Sequence, residues 1–119
     1  MKIIIAGSRT IKNYILVKSV IKSSGFSIKE VVSGGAEGVD KLGERFAIEN
    51  SLNLHKFPAD WNKYGKSAGY RRNLKMGDYG DGLIAIQENN SKGTQHMIDI
   101  MNKLGKPVIL HDLDELTVE

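Results

Sequence analysis

Short continuous runs of apolar residues alternate along the chain with longer segments whose apolar residues recur at helical spacing. The first run, Ile3 to Ala6, is stopped by Gly7, as expected of a buried parallel strand. In the segment that follows, Val17, Val20 and Ile21 share one face of a helix. The whole pattern predicts strands at residues 3–6, 30–33, 55–57, 82–86 and 107–110, and helices around 16–21, at 40–50, at 67–76 and across 97–104.

Strands that alternate with helices require parallel pairing and right-handed crossovers. The predicted fold class is therefore α/β, a three-layer sandwich with a mainly parallel sheet of about five strands. We expect one domain over residues 1–119, an irregular segment at 59–66 and a peripheral acidic tail from Asp112 to Glu119. In open sheets of this kind, ligands bind beyond the carboxyl ends of the strands, at the switch point of the strand order.

Composition narrows the possible functions. The chain has no cysteine, which excludes disulfides and thiolate metal sites, and its three histidines show no metal-ligand spacing. No cofactor is identified. The net charge of +3 is mild and the basic residues are scattered, which argues against a nucleic-acid partner and suits a small anionic ligand. The apolar runs are too short to cross a membrane and the N-terminus does not resemble a signal peptide, so we expect a soluble, cytoplasmic protein.

The glycine-rich turn from Ser33 to Asp40 is the strongest local signal. Gly34, Gly35 and Gly38 join a predicted strand to a predicted helix, where backbone N–H groups and the helix dipole favour an anion. The turn is neither a Walker P-loop nor a strict dinucleotide-binding motif. Tight packing of the strand against the helix explains the glycines equally well.

Two further turns leave the same predicted edge of the sheet. Ser91, Gly93 and Thr94 open the last helix, where they can hold a phosphate or ribose or simply cap the helix. After the first strand, Gly7 is followed by Ser8 and Arg9, and the arginine can reach a phosphate with a bidentate fork. A lone surface arginine is more commonly part of an ion pair. The position of Arg9 directly after the first strand nevertheless favours a functional role. The ligand-binding residues predicted in these two turns are Gly7, Ser8, Arg9, Ser91, Gly93 and Thr94.

Other candidates lie in the middle of the chain. Arg72 and Asn73 can bind a phosphate or a base edge, although a solvated basic helix face is the simpler interpretation. Trp61 and Tyr64 lie in a segment that can form a lid over the crevice, with packing under a loop as the alternative.

Three carboxylates, Glu37, Asp40 and Asp60, are close to the turns, and His96 is in the first turn of the last helix. One of the carboxylates can act as a general base, but helix capping or ribose binding is favoured. No catalytic residue is assigned.

Several segments together resemble a known family. They are Ile-Ile-Ala-Gly-Ser-Arg at 4–9, Ser-Gly-Gly-Ala-Glu-Gly-Val-Asp at 33–40, Phe-Pro-Ala-Asp-Trp at 57–61, Lys-Tyr-Gly-Lys-Ser-Ala-Gly at 63–69, Arg-Asn at 72–73 and Ser-Lys-Gly-Thr at 91–94. Their order resembles the YspA-like branch of the SLOG superfamily, which includes the DNA-processing protein DprA/Smf and the LOG cytokinin-activating enzymes. The resemblance covers residues 3 to about 110.

The resemblance implies a Rossmann-like sheet with a pocket for a nucleotide-derived small molecule, in a small protein of bacteria or phages. It also implies a homo-oligomer, most simply a dimer, with Trp61, Tyr64 or Tyr70 in the interface. The residues it assigns to the ligand are Gly34, Gly35 and Gly38 on the phosphate side, Gly93 and Thr94 opposite, and Ser8, Arg9, Asp40, Arg72 and Asn73 as polar contacts.

One departure bears on activity. LOG enzymes carry a glutamate where this chain has Met97, and a methionine cannot bind a ribose hydroxyl. Binding of a nucleotide-derived phosphorylated molecule, for sensing or processing, is therefore the first hypothesis. A hydrolase of its N-glycosidic or phosphoester bond that uses Asp40 or Asp60 is the second. A DprA-like single-stranded nucleic-acid binder is the third.

Overall fold

The computed structural model describes residues 1–114, in which strands and helices alternate as the sequence predicts. The strands are β1 (Lys2–Gly7), β2 (Glu30–Ser33), β3 (Asn53–Lys56), β4 (Gly82–Gln87) and β5 (Val108–Asp112). The helices are α1 (Tyr14–Ser23), α2 (Val39–Glu49), α3 (Trp61–Tyr64), α4 (Ala68–Tyr79) and α5 (Lys92–Lys103), with a 3₁₀ turn at Gly65–Ser67.

The five strands form one sheet in the order β3-β2-β1-β4-β5, and every neighbouring pair is parallel. The central strand β1 pairs Ile4 with Val32 of β2 on one side and with Leu83 of β4 on the other. The predicted Rossmann-like α/β sandwich is confirmed, and the sheet is parallel throughout.

The central strand is apolar at consecutive positions because helices cover both faces of the sheet. Ile3, Ile4 and Ile5 are completely buried. Ile3 and Ile5 pack in one core with α1 and α2, whereas Ile4 and Ala6 pack in a second core with α4 and α5. The strand therefore holds both layers in register beneath the turns that follow it.

The strand order creates a crevice beside β1. The chain runs from β1 to β2 and β3 on one side, then crosses to β4 and β5 on the other, so the turns after β1 and β4 diverge. Ser8 joins these turns, since its Oγ donates to the carbonyl oxygen of Glu88 and accepts from the Glu88 amide, both at 2.9 Å. The crevice thus has a fixed base at the switch point.

The segment predicted to be irregular is the main local difference. Residues 61–64 form the short helix α3, because Oδ1 of Asp60 accepts from the backbone N–H of Lys63 at 3.1 Å and caps the turn. Helix α4 runs from Ala68 to Tyr79, three residues beyond its predicted end. Asp112, predicted to begin a peripheral tail, ends β5, and the rest of that tail beyond residue 114 lies outside the described residues.

Candidate ligand-binding site

The turns after β1, β2 and β4 surround a cavity of about 230 Å³ at the switch point, and α4 closes its remaining side. Its lining brings together most of the residues predicted from the three turns and from α4. The lining residues are Ala6, Gly7, Arg9, Ala36, Asp40, Arg72, Asn73, Met76, Ser91, Gly93, Thr94 and Met97.

Arg72 reaches from α4 across the carboxyl ends of β2 and β3. Its Nη1 donates hydrogen bonds to the carbonyl oxygens of Gly34 and, at 3.5 Å, of Phe57, and its Nε donates to Oδ1 of Asn73 at 3.0 Å. Burial lowers the pKa of Arg72, and the nearby Asp40 raises it. Within residues 1–114, Nη2 has no hydrogen-bond acceptor. The positioned guanidinium therefore keeps a donor available for a phosphate oxygen.

Asp40 is the buried carboxylate of the cavity, with 5% of its surface exposed. Its Oδ2 accepts a hydrogen bond from the amide of Ala36 at 3.2 Å, and the backbone of Gly7 also bonds to the carboxylate. Desolvation raises the pKa of Asp40 from its ordinary 3.8 to about 6, although these hydrogen bonds and the charge of Arg72 oppose the shift. A perturbed, buried carboxylate beside a cavity is typical of a functional position.

We expect Asp40→Asn to stabilise the protein at neutral pH. Between pH 3.8 and about 6 the folded state retains a proton that the unfolded chain has released, so Asp40 lowers stability as pH rises through this window. Above this window the loss is constant at up to about 3 kcal/mol. The variant should gain about 1–3 kcal/mol at pH 7.5 and almost nothing at pH 3.5, measured by urea denaturation. A variant less stable than the wild type at pH 7.5 would contradict this.

The N-terminus of α5 forms the opposite wall. Ser91 Oγ accepts from the amide of Thr94 at 3.4 Å and lies 2.7 Å from Thr94 Oγ1. A Cβ on Gly93 would meet no atom within 4 Å, so the backbone there is open to the cavity. Asn73 Nδ2 donates to the carbonyl oxygen of Gly93 at 3.5 Å and lies 3.1 Å from Nδ1 of His96. Thr94 and Gln95 donate their N–H groups to Ser91, whereas the N–H groups of Lys92 and Gly93 have no acceptor in residues 1–114 and are available to an anion.

Arg9 connects this cavity to a second one of about 380 Å³. The side chain of Arg9 makes no hydrogen bond or ion pair with the part of the chain from 1 to 114. The second cavity is lined by Arg9, Gly34, Gly35, Ala36, Glu37, Lys56, Pro58, Ala59, Trp61 and Arg72. We call the two cavities together the crevice.

Two charged side chains approach Gly34 closely. A Cβ there would lie 2.7 Å from Nη1 of Arg72 and 2.9 Å from Oδ2 of Asp40. The glycine therefore allows both charged groups to come close to the turn after β2.

Three predicted residues support the turns and line neither cavity. Ser8 uses its hydroxyl in the hydrogen bonds to Glu88. Ser33 is completely buried and its Oγ donates to Oε2 of Glu44 at 2.7 Å. Gly38 has a φ of 79°, and a Cβ there would lie 2.3 Å from the carbonyl oxygen of Ser8. These residues hold the first two turns together.

The structure separates the two predicted lid residues. Trp61 is 53% exposed, lines the second crevice cavity and borders a further cavity of about 240 Å³ with Tyr70. Tyr64 lines a different groove, between α4 and the end of β3. Asp60 also lines that groove and caps α3, the structural alternative considered for it.

Sequence reasoning missed Lys56, Ala36 and Met76. Lys56 is in register with Ser33, at the end of the neighbouring strand, so its position in the third predicted strand was the signal that could have found it. Ala36 and Met76 are apolar lining residues that carry no sequence signal for a ligand.

In residues 1–114 no three His, Asp or Glu side chains come together as a metal site. No helix in that range has the length and apolar character to cross a membrane.

Comparisons with known proteins relate the first half of the chain to one family. The sequence model of the YspA, cpYpsA-related SLOG family matches residues 1–64. The "Gene 61 protein" of Mycobacterium phage D29 is 38% identical over 87 residues, which cover 66% of this chain and 68% of the phage protein. No solved structure shows a significant match. The family match includes Arg9 and Asp40, whereas Arg72 and α5 lie beyond it.

Proposed function

Since this chain belongs to the YspA, cpYpsA-related SLOG family, we propose that it binds a nucleotide or a nucleotide-derived phosphorylated small molecule in the crevice. The observation that carries the proposal is that Arg9 and Arg72 line the same cavity as the open N-terminus of α5 at Gly93. Two cationic side chains and a helix N-terminus directed at one space are a site for a phosphate group.

The crevice also contains groups that suit the sugar and the base of a nucleotide. Asp40 accepts a hydrogen bond from a sugar hydroxyl, as an ionised carboxylate only accepts. Trp61, half exposed at the second cavity, provides an aromatic face on which a base stacks. The crevice cavities, of about 230 and 380 Å³, fall together in the range of roughly 300–1,000 Å³ usual for small-molecule sites.

A thermal-shift panel of nucleosides, nucleoside monophosphates, diphosphates and nucleotide sugars tests the proposal. At a concentration of about 100 Kd, a ligand that binds only the folded state adds roughly 2.7 kcal/mol, which raises Tm by several degrees for a domain of this size. The corresponding nucleosides lack the phosphate and should give no shift. A flat response across all phosphorylated compounds would refute the proposal.

A second candidate function, hydrolysis of the bound nucleotide, is favoured by Asp40 alone. A carboxylate with a pKa of about 6 in the ligand cavity is suited to proton transfer near neutral pH. Met97, in the position of the LOG glutamate, also lines the cavity and cannot supply this chemistry. Release of free base or phosphate from nucleoside phosphates, lost in Asp40→Asn, would establish hydrolysis, and unchanged substrates in the wild-type reaction would exclude it.

A further inference from the structure

A separate groove next to Arg72 lies between α4 and the carboxyl end of β3. Its volume of about 470 Å³ exceeds that of either crevice cavity. We call it the α4–β3 groove, and the side chains that matter in it are His55, Lys56, Phe57, Tyr64, Arg71 and Lys75. The proposed function assigns no role to this space.

Two cations of the groove have unused donors. Lys75 makes no hydrogen bond or ion pair with the chain from 1 to 114. Arg71 is held by its Nε, which donates to Ser67 Oγ at 3.1 Å, and by the ring of Tyr64, whose centre is 4.4 Å from the guanidinium carbon. Its terminal nitrogens have no acceptor in the same range. Since Arg71 and Lys75 are four residues apart on one helix, their Cβ atoms are about 6 Å apart and can contact one anion together.

Within residues 1–114, no carboxylate forms an ion pair with Arg71 or Lys75. Lys56 is paired with Glu44, Nζ to Oε1 at 3.5 Å. Asp60 lines the groove and uses Oδ1 to cap α3. Glu30 accepts a hydrogen bond from the hydroxyl of Tyr79. The groove therefore keeps a positive excess at Arg71 and Lys75.

Two aromatic side chains line the groove beside these cations. His55 and Phe57 are two residues apart, so they share one face at the end of β3, and their rings stack with centres 4.5 Å apart and an angle of 14° between the planes. Each ring of this stack covers one face of the other, so the pair offers the groove an apolar contact beside its cations. Cations beside an apolar contact suit a ligand that carries a sugar next to its phosphate.

The groove and the crevice have a common wall. Lys56, Pro58 and Arg72 line both the groove and the larger crevice cavity. A phosphate held at Arg72 is therefore next to both spaces. This shared wall favours one ligand that occupies both spaces over two independent ligands.

We propose that the α4–β3 groove binds a second phosphate of the crevice ligand, which is then a nucleotide with phosphates at two separate positions of its sugar. This proposal rests on the proposed function of the crevice. Arg71 and Lys75 hold the second phosphate, and His55 and Phe57 line the groove beside it.

Calorimetry with AMP and adenosine 3′,5′-bisphosphate tests this inference. The wild type should bind the bisphosphate at least about 10-fold more tightly than AMP, because the second phosphate gains charge-assisted hydrogen bonds. The double variant Arg71→Ala/Lys75→Ala should bind the two probes within about 3-fold of one another and keep the wild-type affinity for AMP. Lys22→Ala/Lys29→Ala, which removes the same charge from exposed positions outside the crevice and the groove, should keep the wild-type ratio.

Each other outcome overturns the inference in a distinguishable way. If the wild type binds AMP and the bisphosphate with equal affinity, the groove proposal is refuted and the crevice proposal stands. If the affinity for the bisphosphate relative to AMP falls equally in both double variants, the second phosphate responds to the net charge of the protein and not to the groove. A single-stranded dT8 oligonucleotide that binds tightly and is released only by the groove variant reassigns the groove to nucleic acid. If the wild type binds neither nucleotide, the crevice proposal fails for adenine nucleotides and the groove proposal fails with it.

Discussion

Arg72→Ala is expected to weaken nucleotide binding by about 100-fold, the largest loss of affinity from a single side chain in the crevice. Arg72 borders both crevice cavities, and its guanidinium is held by the carbonyl oxygens of Gly34 and Phe57. In the variant, the phosphate loses contact with a positioned, partly desolvated cation. A mobile surface lysine does not replace that contact. Calorimetric titration with the best nucleotide of the panel measures the change.

Two further variants distinguish the loss of the Arg72–phosphate contact from a change in net charge and from a loss of folding. Arg72→Lys keeps the charge but loses the fork, and should lie between the wild type and Arg72→Ala. Arg45→Ala removes an arginine that is paired with Glu49 at 2.9 Å on α2, and should bind normally. Equal affinity of Arg72→Ala and Arg45→Ala, with both proteins folded, would show that Arg72 does not contact the ligand.

Gly7→Ala is expected to abolish most of the folding stability, a loss of more than about 4 kcal/mol. A Cβ on Gly7 would lie 1.9 Å from the carbonyl oxygen of Ile86 and 2.7 Å from Cγ2 of Val39. The first of these atoms belongs to the backbone of β4, which is paired with β1 at this position, so it cannot move without opening the sheet. Urea denaturation followed by circular dichroism measures the loss.

Gly93→Ala is the matched control, because it makes the same chemical change where a Cβ meets no atom within 4 Å. It should fold with a stability within about 1 kcal/mol of the wild type. Because its methyl group enters the space assigned to the phosphate, it should weaken nucleotide binding. A Gly7→Ala protein as stable as Gly93→Ala would show that β1 and β4 are less closely paired than described.

Local patterns were sufficient for the strands and for the three turns. The run from Ile3 to Ala6 is apolar on both faces, and both faces are buried only in a central strand that helices cover on each side. Because parallel strands end at one edge of the sheet, the turns that begin at Gly7, Ser33 and Glu88 had to meet there. The helix at 61–64 was missed because its signal is a single cap at Asp60 in a segment rich in turn residues.

The roles of individual side chains were harder to predict from the sequence. Ser8, Ser33 and Arg72 all looked like polar contacts for a ligand, but only Arg72 lines the crevice. The difference depends on partners 80 and 11 residues away for Ser8 and Ser33, which no local pattern specifies. Likewise, the burial that raises the pKa of Asp40 comes from packing of separate elements around it.

The sequence by itself determined the α/β class, the parallel sheet and the gathering of glycine-rich turns at one edge, because hydrophobic periodicity and chain direction settle these features locally. The tertiary structure alone decided which residues around those turns line a cavity, that Arg72 bridges the ends of β2 and β3, and that Tyr64 belongs to a second, cationic groove. Those features depend on contacts between elements far apart in the chain, where distance, burial and the competition of neighbouring hydrogen bonds decide what each side chain does.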